Sequence, residues 1–327
     1  MRRMRLPGLL ACALAAATGF AQAQETTPTV APDGGRVTAP DAERVDQGRF
    51  SQRPADAAYG AYQRGYYITA LNIATPLAIN GDPAAQTLIA ELYSRGMGVR
   101  QDMATATEWY EKAAAQNVPE AMFQLAMILL DGGPEFRDRN RAFEVMGRAA
   151  DAGNSMAQFN YAQMILAREQ TPEALTRAFS YYEQAADRGL PDAQYAMAQA
   201  LQHGVAGREV DMPGARRWLE LAAAQNFDTA QIDLGAWLID GIGGDRDLEA
   251  GFGWTMRAAA AGNPAAQNRV AKLYRAGIGV EPDSIAAAAW YLRARRVGLV
   301  DPLMEDHLAG LTEDQLKQAG EQAGALG

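Results

Sequence analysis

The chain has 327 residues, 48% hydrophobic yet only 8% aromatic, so much of its apolar content is alanine. Alanine is a strong helix former whose small side chain lets helices approach closely, and nothing here resembles a β-rich core. The formal net charge is −9, and an acidic chain lacks the basic footprint that nucleic acids and anionic membranes require.

Residues 1–23 have the three parts of a secretory leader. Arg2, Arg3 and Arg5 are basic, Leu9 to Ala17 form a short apolar run, and Ala21-Gln22-Ala23 is a small-residue cleavage site. The apolar run falls short of the ~20 residues a membrane span needs. Cleavage after Ala23 and a periplasmic destination are therefore expected. Secretion and a lipid anchor on Cys12 are the alternatives, although little apolar sequence precedes that cysteine. Cleavage removes three arginines and no acid, taking the net charge to −12, and removes the chain's one cysteine. Without thiols, stability must come from packing.

Residues 24–50 are rich in Thr, Pro, Gly and charge, too poor in large apolar side chains to offset their ordering entropy, and read as a disordered tail. Residues 51–82 read as a shorter, divergent helix pair over about 55–64 and 67–80, kinked at Pro76, that forms an N-terminal capping repeat.

From Pro83 the chain repeats itself every 36 residues, restarting at Pro119, Ser155, Pro191, Asp228 and Pro264, with one extra residue in the fourth copy. A period of that length means a stacked array in which each unit buries its apolar face on its neighbours. Each copy reads as helix A, glycine turn, helix B, short turn. Helix A carries two small columns: Ala85, Ala121, Ala157, Ala193, Ala230, Ala266, and five residues on Ala90, Ala126, Ala162, Ala198, Gly235, Ala271. Helix B carries a large column, Trp109, Val145, Tyr181, Trp218, Trp254, Trp290, expected to fill the core. Four residues later comes a small one: Ala113, Ala149, Ala185, Ala222, Ala258, Ala294. The turns read G-x-G-V-x-x-D at Gly96–Asp102 and Gly277–Asp283. Asp102, Asp138, Asp211, Asp247 and Asp283 fall one per repeat, which suits helix capping and not metal ligation.

The pattern A-Q-x-x-(L/I)-(A/G)…Y-x-x-G-x-G-V-x-x-D…W-Y-x-x-A-A-x-x-(G/N) resembles the Sel1-like repeat, a relative of the tetratricopeptide repeat. The resemblance covers 83–299 and is closest in the first, fifth and sixth copies. The third copy lacks the turn glycines, with Thr171 and Pro172 in their place, and the second has Val145-Met146 for the Trp-Tyr pair. It implies an all-α fold, an α/α solenoid wound as a right-handed superhelix, closed by a C-terminal helical cap over 300–327. In that cap the first helix runs from Pro302 to about Ala309. A Thr312-Glu313-Asp314-Gln315 capping box opens a second, expected to end near Ala319 and to fray from Glu321.

No catalytic, cofactor or metal site is evident. His203 and His307 lie in different repeats, no serine has a nucleophile context, and the G-x-G pairs follow helices and not strands. By the family's register the concave surface presents a row Thr87, Phe123, Phe159, Tyr195, Ile232, Asn268, with Met127, Gln163 and Gln199 beside it and His203 near its edge. Phe123, Met127, Phe159, Gln163, Tyr195, Gln199, His203 and Ile232 are the candidate partner-binding residues. The aromatics could equally be packed on the neighbouring repeat. The resemblance implies a non-catalytic scaffold or adaptor binding a protein or peptide in the cell envelope, such as a signalling receptor or complex. Binding of peptidoglycan or a wall-derived fragment is the alternative. A cell-wall or β-lactam-acting enzyme is the weakest reading, for want of a nucleophile.

Overall fold

The structure, a computed structural model, describes residues 54–325. The expected leader and tail lie outside the described residues. These residues form sixteen helices and no strand. They divide into two compact units, one up to Met103 and one from Ala104 onward. The first holds α1 (Pro54–Gln63), α2 (Tyr67–Ile79) and α3 (Pro83–Arg95). The second is an α-solenoid of α4 (Met103–Ala115), α5 (Pro119–Asp131), α6 (Arg139–Asp151), α7 (Ser155–Arg168), α8 (Pro172–Asp187), α9 (Pro191–His203) and α10 (Met212–Ala224). It continues with α11 (Asp228–Asp240), α12 (Leu248–Ala260), α13 (Pro264–Ala276), α14 (Ser284–Arg296), α15 (Pro302–Ala309) and α16 (Glu313–Ala325). From α5 to α14 each helix packs on the next in chain order.

All three small columns are buried, which is what allows backbone-close packing between helices. The large column departs from expectation. Only Val145 and Trp290 in it are buried, while Trp109, Tyr181, Trp218 and Trp254 are half-buried. The core position is one residue further on, where Tyr110, Met146, Tyr182, Leu219, Thr255 and Tyr291 are each 3% exposed or less. One residue rotates a side chain about 100° around a helix. The tryptophans thus stand at the edge of the core, where Lys112, Arg257 and Arg293, each three residues on, cover Trp109, Trp254 and Trp290 at 3.8, 4.5 and 5.7 Å.

Helix starts follow the expected chemistry. Asp138, Asp211, Asp247 and Asp283 each accept from a backbone N–H in the first turn of a B helix, and Thr171 does so in the third copy. The extra residue of the fourth copy sits in its A–B turn. There Asp211 N–H bonds to Leu201 O, ten residues back, where the other turns span nine. In the third copy that turn shrinks to residues 169–171. Beside it Tyr161 replaces an aliphatic core residue, and its ring fills the space left by Gly147 to meet Phe143 and Tyr181. The last helix runs to Ala325 and does not end near Ala319, because Ala319 and Ala323, one turn apart, are buried in the cluster around α14. Its capping box is reciprocal between Thr312 and Gln315.

Neighbouring repeats share one hydrogen-bond acceptor. Gln86, Gln158, Gln194, Gln231 and Gln267, the residue after the first small column, are buried. Each donates Nε2 to a carbonyl eight residues earlier, at the end of the preceding B helix: Ala78, Ala150, Ala186, Ala223 and Ala259, at 3.0–3.3 Å. The same carbonyl accepts from the positive-φ residue of the short turn, namely Gly81, Gly153, Gly189, Asn226 and Gly262. Both lone pairs are used. The second copy has Met122 in place of the glutamine, and there Arg148 Nη2 reaches the equivalent Ala114 O at 3.1 Å.

The second glycine of each G-x-G turn rests on the start of the preceding B helix. A side chain on Gly98 would meet Tyr67 Cβ at 2.8 Å, one on Gly243 the Met212 carbonyl, and one on Gly279 the Leu248 carbonyl.

Urea denaturation should separate these contributions. Gln231→Ala lowers the unfolding free energy by about 1–3 kcal/mol, and Arg148→Ala lowers it by a loss that adding Met122→Gln restores. Gly189→Ala, with open space around its new methyl, costs only the left-handed backbone penalty of about 1–2 kcal/mol, whereas Gly279→Ala costs more.

Candidate functional site

Each A helix of the solenoid from α5 to α13 has a defined start or stop, and α9 and α13 have both. Proline opens α5, α9 and α13, and Asn154 and Asn263 cap α7 and α13 through first-turn N–H groups. Left-handed glycines close α9, α11 and α13 at Gly204, Gly241 and Gly277. The buried small columns turn the same helix face the same way in successive copies. On that face stand the predicted residues, and they differ in how far packing consumes them.

Phe123 is buried, 9% exposed, and belongs to the core side of its row. Phe159 is half-buried with its ring 5.3 Å from Tyr182. Tyr195 is half-buried, its ring 5.4 Å from Phe227 and its hydroxyl donating to Asp233 Oδ2 at 2.9 Å. That bond crosses from α9 to α11. Ile232 is half-buried and packs against the apolar cluster of the sixth copy. Met127, Gln163 and Gln199 are half-buried beside them, and His203 is exposed at the end of α9. Phe159 and Tyr195 therefore both support the stack and show part of a ring to solvent.

Two carboxyls on this face escape a reading of composition alone. Burial pushes the Asp233 carboxyl above the usual carboxylate range, partly offset by the Tyr195 hydroxyl and by the nearby Arg269 guanidinium. Burial likewise raises Asp192. The available signal was positional: Asp233 directly follows Ile232 on the A helix of its copy.

Two cavities lie away from these residues. One of about 490 Å³ is lined by Tyr274, Val280, Pro282, Asp283, Ile285 and Gln315. Another of about 560 Å³, in the first unit, lies between α1 and α3 over Ala58, Tyr59, Ala85 and Leu88. Among the described residues no group of three or more His, Cys, Asp or Glu is placed to hold a metal ion, and no helix is long and apolar enough to cross a membrane.

The family model described as Sel1 repeat matches residues 83–118, 119–154, 155–190, 191–227, 229–263 and 264–298. Among solved structures the chain is similar to a Sel1 repeat protein from Oxalobacter formigenes, at 28% identity and a TM-score of 0.61, covering 79% of each chain. It also resembles a protective antigen of uropathogenic Escherichia coli strains displaying an SLR fold, at 23% identity and a TM-score of 0.53. That match covers 84% of this chain and 72% of the other. Curated protein sequences yield no match.

The raised Asp233 sets a pH dependence. A carboxyl with a folded pKa above its unfolded one adds stability below the unfolded value and loses it as pH rises through the folded one. Measured against Asp233→Asn from about pH 3 to 7, the native chain should lose stability with rising pH. Tyr195→Phe, which removes a bond favouring the carboxylate, should make that loss larger. An unchanged profile in Tyr195→Phe would show that the hydroxyl does not hold the charge.

Proposed function

Because the chain belongs to the Sel1 repeat family, whose repeats are generally protein–protein interaction modules, we propose that it is a non-catalytic adaptor. It grips a protein or peptide of the cell envelope on the A-helix face of its solenoid. The observation that carries this reading is the state of Phe159, Tyr195 and Ile232: each is anchored by packing, yet none is buried. Anchored aromatics lose little side-chain entropy on contact, which is what makes them effective at interfaces. Gln163 and Gln199 beside them supply amide donors and acceptors for a partner backbone.

A periplasmic location is part of the proposal and rests on the leader-like residues 1–23. Mass spectrometry of the protein from a periplasmic extract should give Gln24 as the first residue; an intact Met1 would refute export.

Partner binding is tested by placing a photocrosslinker at position 163 or 199 in living cells and identifying adducts by mass spectrometry. One enriched envelope protein is expected, lost in Phe159→Ala with Tyr195→Ala while a melting curve reports the fold. Adducts absent from both positions, together with sedimentation on purified peptidoglycan, would replace the protein partner by a glycan.

A further inference from the structure

Charges on the A-helix face are sorted by repeat. α11 carries Asp228, Asp233 and Asp240 and no cation, whereas α13 carries Arg269, Lys272 and Arg275 and no acid. Counted from the first residue of each helix, these six positions and the aromatic row fall on one arc of roughly 140°. Acid and base thus share a surface in adjacent repeats, with Tyr195 of α9 bonded directly to the acidic helix.

Internal pairing takes up most of this charge and leaves its helix-end members available: Asp228 accepts from Asn263 Nδ2 and from the Thr229 N–H, and Asp233 accepts from the Tyr195 hydroxyl. Lys272 is engaged by Asp301 at 2.5 Å, and Arg269 lies near enough to Asp233 to favour its charged form. Among the described residues no ion pair joins α11 to α13, and Asp240 and Arg275 are exposed near the ends of the two helices.

We infer, on the reading proposed above, that the partner of this face is an extended segment carrying an apolar residue, then a cation, then an anion, about three residues apart. The apolar residue sits by Phe159 and Tyr195, the cation over α11 and the anion over α13. Spacing follows from reach: the Tyr195 side chain of α9 spans the gap to Asp233 of α11, and an extended chain advances about 3.3 Å per residue, so about three residues cover the step between neighbouring A helices. Either chain direction leaves the cation in the middle. Exposed ion pairs add little affinity individually. A segment with the charges exchanged, however, sets acid over acid and base over base, so the arrangement selects register and partner.

The test uses the full chain and two capped synthetic heptapeptides of one composition, Phe-Thr-Thr-Lys-Thr-Thr-Asp and Phe-Thr-Thr-Asp-Thr-Thr-Lys. By fluorescence anisotropy at low salt the lysine-centred peptide should bind about tenfold more tightly, and the gap should close near about 0.5 M salt. Asp240→Arg combined with Arg275→Asp alters two exposed side chains, leaves the melting curve in place, and should invert the preference. Binding of neither peptide, equal binding of both, or a preference that survives the exchange overturns the inference. A partner crosslinked from position 163 or 199 in those circumstances would leave the adaptor reading standing and the charge order wrong.

Discussion

Each repeat is joined to the next through a carbonyl that accepts twice. The left-handed turn residue takes one lone pair and the buried glutamine of the following A helix takes the other. Turn geometry and repeat stacking are therefore set by the same atom, so neither can drift alone. A buried glutamine with no partner would be costly, which makes the correct stack strongly preferred over a slipped one. The second copy shows that the carbonyl matters more than the residue that serves it: Met122 fills the space, and Arg148 reaches the same acceptor from α6. Nearest-neighbour coupling of this kind lets a thiol-poor array be stable as a sum of local interfaces.

Much of the fold was legible because its determinants are periodic. Three small columns, the turn glycines and the capping aspartates recur at one spacing, and a recurring position has a recurring environment. Size alone predicts burial for the tryptophan column, yet the core position lies one residue further on. A tryptophan at the core edge can lie under a cation, while the position beside it takes residues as unlike as Tyr291 and Thr255. The glutamine stood in the repeating motif without a role, since its acceptor is known only once two helices are placed together. The length of the last helix is hidden from the sequence for a related reason. Two alanines are too weak a signal until α14 is seen to cover them.

The candidate site was legible as a set of positions and not as a surface. Periodicity located Phe123, Phe159, Tyr195 and Ile232 in one row, yet only packing distinguishes the buried Phe123 from its half-buried neighbours. Asp233 illustrates what a linear reading omits. Its environment is built by Tyr195, 38 residues away, and by the burial both share.

The two edges of the array obey different rules. Every B–A connection from Asn80 to Asn263 has three residues, whereas the A–B connections have three, seven or eight. The first kind carries the shared acceptor and cannot change length without parting two modules. The second only closes a hairpin at the rim. New loops, tags or docking extensions can be grafted there, so the solenoid can acquire attachments along one margin while its internal spacing stays constant.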